Sequence, residues 1–207
     1  MAVANYHDAN GKYPPAYVVG PDGRPWHSWR VLILPYIEED KLHKEYDFSE
    51  PWDGPNNRKL AERMPRAFAF SATRYPGNTV TNYLAVVGEG TAWPGQTSLS
   101  LTDVTDSTSE TILLVENQGA NIHWMEPRDL LFTDMDFKID SPGGISSQYS
   151  GPAVGMLDGS VQRLGARIHP DTLRALLTIR GGESLEPNGP AGWTLLPDGR
   201  QRPLRQP

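Results

Sequence analysis

An α+β domain built on an antiparallel sheet is what the chain predicts, and three observations carry that prediction. Three short runs read as strands: 79–87, rich in β-branched and aromatic residues, 110–116, with its apolar centre, and 153–157. Turn residues are abundant, with 20 glycines and 19 prolines among 207 residues. Of these turns, Asp158-Gly159 has the composition of a tight hairpin that returns the chain along 160–164. Helical periodicity is confined to a few short segments. Short strands joined by turns, with few helices, belong to the α+β class.

Taken in order, Ala2, Val3, Ala4 and Tyr6 read as the last turns of a helix whose beginning is missing. Asn10-Gly11 stops it, because both residues tolerate a left-handed backbone. Pro14-Pro15 forces an extended segment, and the turn at 20–23 reverses it into Trp26-His27-Ser28-Trp29. Residues 31–34 are continuously aliphatic, and periodicity alone does not decide between a buried strand and a buried helix. Beyond Pro35, the positions Tyr36, Ile37, Leu42 and Tyr46 recur among charges as one face of an amphipathic helix.

The segment 48–57 reads as irregular structure pinned by Trp52. A short helix is expected at 58–63, capped by Asn56 or Asn57, then a short apolar strand at 67–72. The strand at 79–87 leads into a Gly- and Pro-rich loop carrying Trp93. Residues 112–115 are apolar on both faces, as in a central strand. A second irregular segment, 123–130, carries Trp124. Asp171 is expected to cap a last helix at 172–179, with Leu173, Leu176 and Leu177 as its apolar face. One domain is expected over 1–184, with 1–12 as the helix end. The remainder, 185–207, is expected as a loosely ordered Pro-, Gly- and Arg-rich tail, apart from a hairpin around Pro197-Asp198-Gly199.

Composition narrows the function classes. The net charge of −6 argues against a general nucleic-acid binder, which would carry a basic patch or stripe. Cysteine is absent, which excludes disulfides, thiol catalysis and zinc–thiolate sites. Mean hydropathy is −0.50, and no apolar run approaches the about 20 residues of a membrane helix. Neither a nucleophile elbow, a P-loop nor a dinucleotide fingerprint occurs. The five histidines are scattered, without the spacing of a helical zinc motif.

Two groups of residues stand out as candidate sites. Asp134, Asp136 and Asp140 alternate in a loop. Closely spaced carboxylates supply the hard oxygen ligands that calcium takes, although the glycine and closing glutamate of an EF-hand are missing and a solvated acidic loop is the competing reading. Trp52, Trp93 and Trp124 each lie in a Pro- or Gly-rich loop. They read either as the lining of a ligand groove or as anchors that hold loops to the core.

Several stretches together resemble one family, the pseudopilin-like proteins of planctomycete bacteria, a domain of unknown function. The residues that carry the resemblance are Asn5-Tyr6-His7-Asp8-Ala9-Asn10-Gly11-Lys12-Tyr13-Pro14-Pro15, the stretch 28–37, and Pro51-Trp52-Asp53-Gly54-Pro55-Asn56. They continue at 105–112 with Glu116, at 124–130, at Asp158-Gly159-Ser160-Val161 and at 173–183. The resemblance implies a type IV pilin or type II secretion pseudopilin fold, with an N-terminal helix packed on an antiparallel sheet and long inserted loops. It implies that a prepilin-type signal and an apolar anchor helix precede Asn5, so that the chain begins inside the end of that helix. The partners it implies are other pilin- or secretion-type subunits, reached through the missing helix, with a membrane engaged only through that absent segment. The implied location is the cell envelope. Major pseudopilins hold calcium in a loop near the end of the sheet, which adds to the calcium reading of Asp134, Asp136 and Asp140. Two departures are plain: the family's cysteine near Phe70-Ser71 is absent, and Gln148 stands where the family signature, a His followed by nine residues and then Asp-Gly, places its histidine. The first function expected is therefore an envelope-associated structural or assembly role. The alternatives are a calcium- or other metal-dependent hydrolase of a small ester or lactone, and a glycan-binding module using the Trp-bearing loops.

Overall fold

The computed structural model describes residues 2–70, 73, 76–141, 143–187 and 193–196. The protein is a mixed α+β structure with several small, mostly antiparallel sheets. Helix α1 (Ala2–Asn10) ends at Gly11, whose φ of +72° suits glycine and whose N–H closes on the His7 carbonyl at 2.7 Å. Strands β1 (Tyr17–Val19) and β2 (Pro25–Ser28) form a hairpin.

The aliphatic run at 31–34 resolves as helix. Ser28 caps α2 (Trp29–Leu32) by accepting the Arg30 N–H, a local alternative to strand that serine supplies. The amphipathic helix expected beyond Pro35 is broken in two. A 3₁₀ turn at Leu34–Ile37 ends at Glu38, which has φ +65°, and α3 (Asp40–Glu45) follows. The expected helix at 58–63 is a 3₁₀ turn, Asn57–Leu60, without a side-chain cap. Asn57 instead spends its amide on the carbonyls of Asp47 and Pro51, at 2.8 and 3.0 Å, and so ties down the preceding loop. The expected strand at 67–72 is a further correction. Arg66–Phe68 is a 3₁₀ turn, the Phe70 N–H goes to the Asn82 side chain at 2.9 Å, and 71 and 72 lie outside the described residues.

The main sheet has four strands in the order β3-β5-β7-β8. These are β3 (Tyr83–Leu84), β5 (Ile112–Glu116), β7 (Ala153–Met156) and β8 (Val161–Arg163), all antiparallel to their neighbours. Strand β5 is the expected central strand, and β7–β8 is the expected hairpin around Asp158-Gly159, with Gly159 at φ +86°. A parallel pair, β4 (Val86–Val87) with β6 (Leu130–Leu131), sits beside it. The single strand expected at 79–87 is therefore cut at Ala85. The Ala85 N–H leaves the ladder for the Asp129 carboxylate, at 2.8 Å.

That carboxylate belongs to a buried hub. Arg30 is fully buried and Asp129 nearly so, and the two form an ion pair. The guanidinium also donates to the Tyr83 carbonyl and to the Ser28 hydroxyl, at 3.2 and 2.9 Å, while the Trp29 indole N–H donates to Asp129 at 3.2 Å. Burial pushes the Asp129 carboxyl up, and Arg30 with the Ala85 N–H draws it back. The guanidinium, the Trp29 indole N–H and the Ala85 N–H all donate to the carboxylate, which is how a buried charge is accommodated.

Helix α4 (Pro170–Leu177) covers one face of the sheet with Leu173, Leu176 and Leu177, as expected. Its cap is His169 rather than Asp171, because Pro170 occupies the first helical position and the His169 ring accepts the Asp171 N–H at 3.3 Å. The segment beyond Leu185, expected to be loose, carries β9 (Leu185–Pro187) paired with β10 (Trp193–Leu195). Leu185 and Trp193 are buried in the cluster beneath α4. The hairpin expected around Pro197-Asp198-Gly199 lies outside the described residues.

Three histidines, His27, His43 and His123, sit where burial draws the imidazole below its ordinary range. The unfolded chain takes up these protons near pH 6.5, and the folded chain takes them up only below that. Stability is therefore complete above about pH 6.5 and falls as the pH drops through that value, by at most about 1.4 kcal/mol per pH unit for each histidine. Urea midpoints at about pH 7.5 and about pH 5.5 check this. An unchanged or higher midpoint at the lower pH contradicts it.

Candidate functional site: an apolar groove on the open face of the sheet

Alternation along the strands assigns the two faces of the main sheet. Leu84, Val115 and Val154 lie in one cross-strand row, and Ile112 pairs with Met156; all five pack beneath α4. The opposite face carries the row Leu114–Gly155–Val161 and, beside it, Ala153 paired with Arg163. A register shift between Ile112 and Leu114 places the consecutive residues Leu113 and Leu114 on this same side, as a bulge does.

On that face lies a groove of ≈ 430 Å³. Its floor is β7, where Ala153 and Gly155 leave a trough between Leu114 of β5 and Val161 of β8. Ala2, Val3 and Ala4, the first turn of α1, line it as well. Val161 is 73% exposed, unusual for an aliphatic residue in a strand.

Gly155 has no reason for lacking a side chain within this chain. Its φ is not in the left-handed region, and an added Cβ would meet only the Leu114 Cβ at 3.6 Å, an ordinary contact. A glycine inside a strand weakens it and marks places where another backbone or a ligand comes close. The arrangement holds no nucleophile or acid–base pair. Glu116, at one end, is buried and accepts the Ala153 N–H at 2.8 Å. What the groove can do is bury an apolar element. Each aliphatic side chain it covers contributes about 1.5–3 kcal/mol on full burial.

The residues singled out from the sequence lie elsewhere. Asp134, Asp136 and Asp140 are all exposed. Asp136 accepts the Ser141 hydroxyl at 2.8 Å and the Lys138 N–H at 3.1 Å, and these bonds hold its carboxyl below the usual range. Asp134 accepts the Thr133 hydroxyl at 2.8 Å, and Asp140 the Ser147 N–H at 3.4 Å. Among the described residues, no group of three or more His, Asp or Glu is placed to hold a metal ion.

Of the three tryptophans, Trp93 is 1% and Trp124 0% exposed. Their indole N–H groups donate to the carbonyls of Leu113 and Ala61, at 2.6 and 2.8 Å. Trp52 is partly buried against the same core and packs at a tilt against His123, with ring centroids 5.1 Å apart. These rings hold loops to the core and do not share a groove. The groove residues went unmarked in the sequence, because Ala153, Gly155 and Val161 look ordinary until the register sets them side by side. The solitary Gly155 inside an otherwise apolar strand was the available signal.

Among the described residues, no helix is long and apolar enough to cross a membrane. Comparison with curated proteins finds no match, and none is found among solved structures. Residues 1–83 match the model of one family, SBP_bac_10, described as a protein of unknown function (DUF1559).

Proposed function

We propose that this chain is the displayed domain of an envelope-associated, pseudopilin-like structural or assembly subunit, whose sheet receives an apolar helix in the groove beside α1. The observation that carries this reading is the groove itself. An apolar trough with a glycine floor lies beside the first turn of α1, whose Ala2, Val3 and Ala4 line it. Covering one sheet face with α4 and the other with a helix gives both faces of the sheet an apolar partner. The motifs quoted above support the reading.

The test uses the absence of cysteine from these 207 residues: a thiol placed by Val161→Cys is read at its own peptide after digestion. Maleimide labelling is compared between the 207-residue chain and the product of the native gene locus, with cell fractionation of the latter. In the native product the thiol is expected to be in the envelope fraction and to react at least about tenfold more slowly, since a covered site labels only through local opening. Equal labelling rates overturn the groove reading, and recovery in the soluble fraction overturns the envelope role.

A further inference from the structure

On the β1–β2 hairpin, away from the sheet groove, lies an open pocket of ≈ 350 Å³ walled by the rings of Trp26, His27 and Phe48, with the 18–21 segment and Ser49 completing it. The rings stand steeply to one another. Trp26 and His27 are 6.1 Å apart at 88°, and His27 and Phe48 are 5.2 Å apart at 61°. They are held there. The His27 ring is pinned through Nδ1 to the Tyr46 hydroxyl at 3.0 Å. Tyr46 supports Phe48 from behind, with ring centroids 4.9 Å apart. The Trp26 ring lies so close over Gly20 that a Cβ there would meet it at 2.2 Å, so Gly20 is needed for the wall to stand.

Phe48 is 40% exposed although it belongs to an otherwise well-bonded loop. The Asp47 carboxylate holds the N–H and hydroxyl of Ser49, at 2.8 and 2.6 Å, and so fixes the part of the loop that lines the pocket. Asp22 forms an ion pair with Arg24 at 2.7 Å, so the Arg24 charge is balanced. Burial keeps the His27 imidazole below its ordinary range, so at neutral pH it adds a ring and no positive charge.

Aromatic rings walling one opening attract a soft cation whose charge is spread over methyl groups. The face of an aromatic ring is negative, and a quaternary ammonium loses little hydration on leaving water. We propose that the pocket between Trp26, His27 and Phe48 binds a quaternary ammonium group. The inference is independent of the sheet groove.

The test is a titration of the intact chain with choline, read by NMR at the Trp26 indole, beside 3,3-dimethyl-1-butanol, the neutral carbon isostere of choline. Choline is expected to bind at least about tenfold more tightly, since only the charge differs. Phe48→Leu, which keeps apolar bulk at an exposed position, and Trp26→Leu are each expected to weaken choline by about tenfold. Melting curves confirm that the variants are folded. Flotation with phosphatidylcholine vesicles, against phosphatidylglycerol vesicles, tells a lipid headgroup from a free amine, and preference for either source supports the site. Equal affinity for choline and its isostere, or choline binding unchanged in folded Phe48→Leu and Trp26→Leu, overturns it.

Discussion

Asp129→Ala is expected to lose about 3–5 kcal/mol of stability, because it leaves a buried guanidinium without its counter-charge. Arg30 is 0% exposed and no water reaches it to replace the lost partner. Removal of the carboxylate also orphans the Ala85 N–H and the Trp29 indole N–H, which both donate to it. The damage should therefore spread to the junction of β3 and β4, where Ala85 leaves the sheet. Urea unfolding of the variant should show a lower midpoint at an unchanged slope.

Arg30→Met alone is expected to be similarly harmful, since it strands the carboxylate. The double variant Arg30→Met with Asp129→Leu should lose much less than the sum, because removing both charges of a buried pair is often close to neutral. A loss under about 1 kcal/mol for Asp129→Ala would mean that the charge is not sealed from water, and additive losses in the double variant would mean that the two residues do not act as a pair.

Trp124→Ala is the second change of this size, with an expected loss of about 3–5 kcal/mol from the cavity left behind. Trp124 is 0% exposed. Its ring stacks on Phe68 with centroids 6.1 Å apart, its N–H donates to the Ala61 carbonyl at 2.8 Å, and its backbone N–H donates to the Thr79 carbonyl at 2.9 Å. One side chain thus joins the 57–68 region to the loop before β6. Trp124→Phe should recover most of the loss, leaving about 1 kcal/mol for the unpaired Ala61 carbonyl. Thermal unfolding followed by circular dichroism measures both. A glycan-facing tryptophan would behave otherwise, with stability nearly intact and binding lost.

The parts of the fold legible in the sequence are those that local chemistry decides. Asp158-Gly159 produces its hairpin because glycine accepts φ +86° there and the Asp158 carboxylate takes the Ser160 N–H at 2.9 Å. The 112–115 run is a central strand because both of its faces are apolar. Helix α4 forms with Leu173, Leu176 and Leu177 inward because their spacing follows the helical period.

Where reading from the sequence went astray, a distant group had intervened. The strand expected at 79–87 is interrupted because Asp129, 44 residues away from Ala85, competes for its N–H. The strand expected at 67–72 yields to a side chain, Asn82, that takes the Phe70 N–H. The amphipathic helix after Pro35 breaks at Glu38 in a left-handed turn that no glycine announces. The segment from Leu185, polar by composition, is drawn into pairing by Leu185 and Trp193, which bury themselves beneath α4.

The candidate site follows the same division. By itself the sequence determined the class of the fold, the central strand and the hairpin of the sheet, the apolar face of the last helix and the absence of any thiol chemistry. Those properties depend on residues within a few positions of one another, whose backbone preferences and periodicities act before any tertiary contact forms. Only the tertiary structure decided that Leu114, Gly155 and Val161 make one row, that Trp93 and Trp124 are core, and that Trp26, His27 and Phe48 wall one pocket. It also decided that Arg30 meets Asp129. Each of these joins side chains whose separation along the chain carries no signal, and register, burial and the pairing of buried charge bring them together only when the sheet and its loops close.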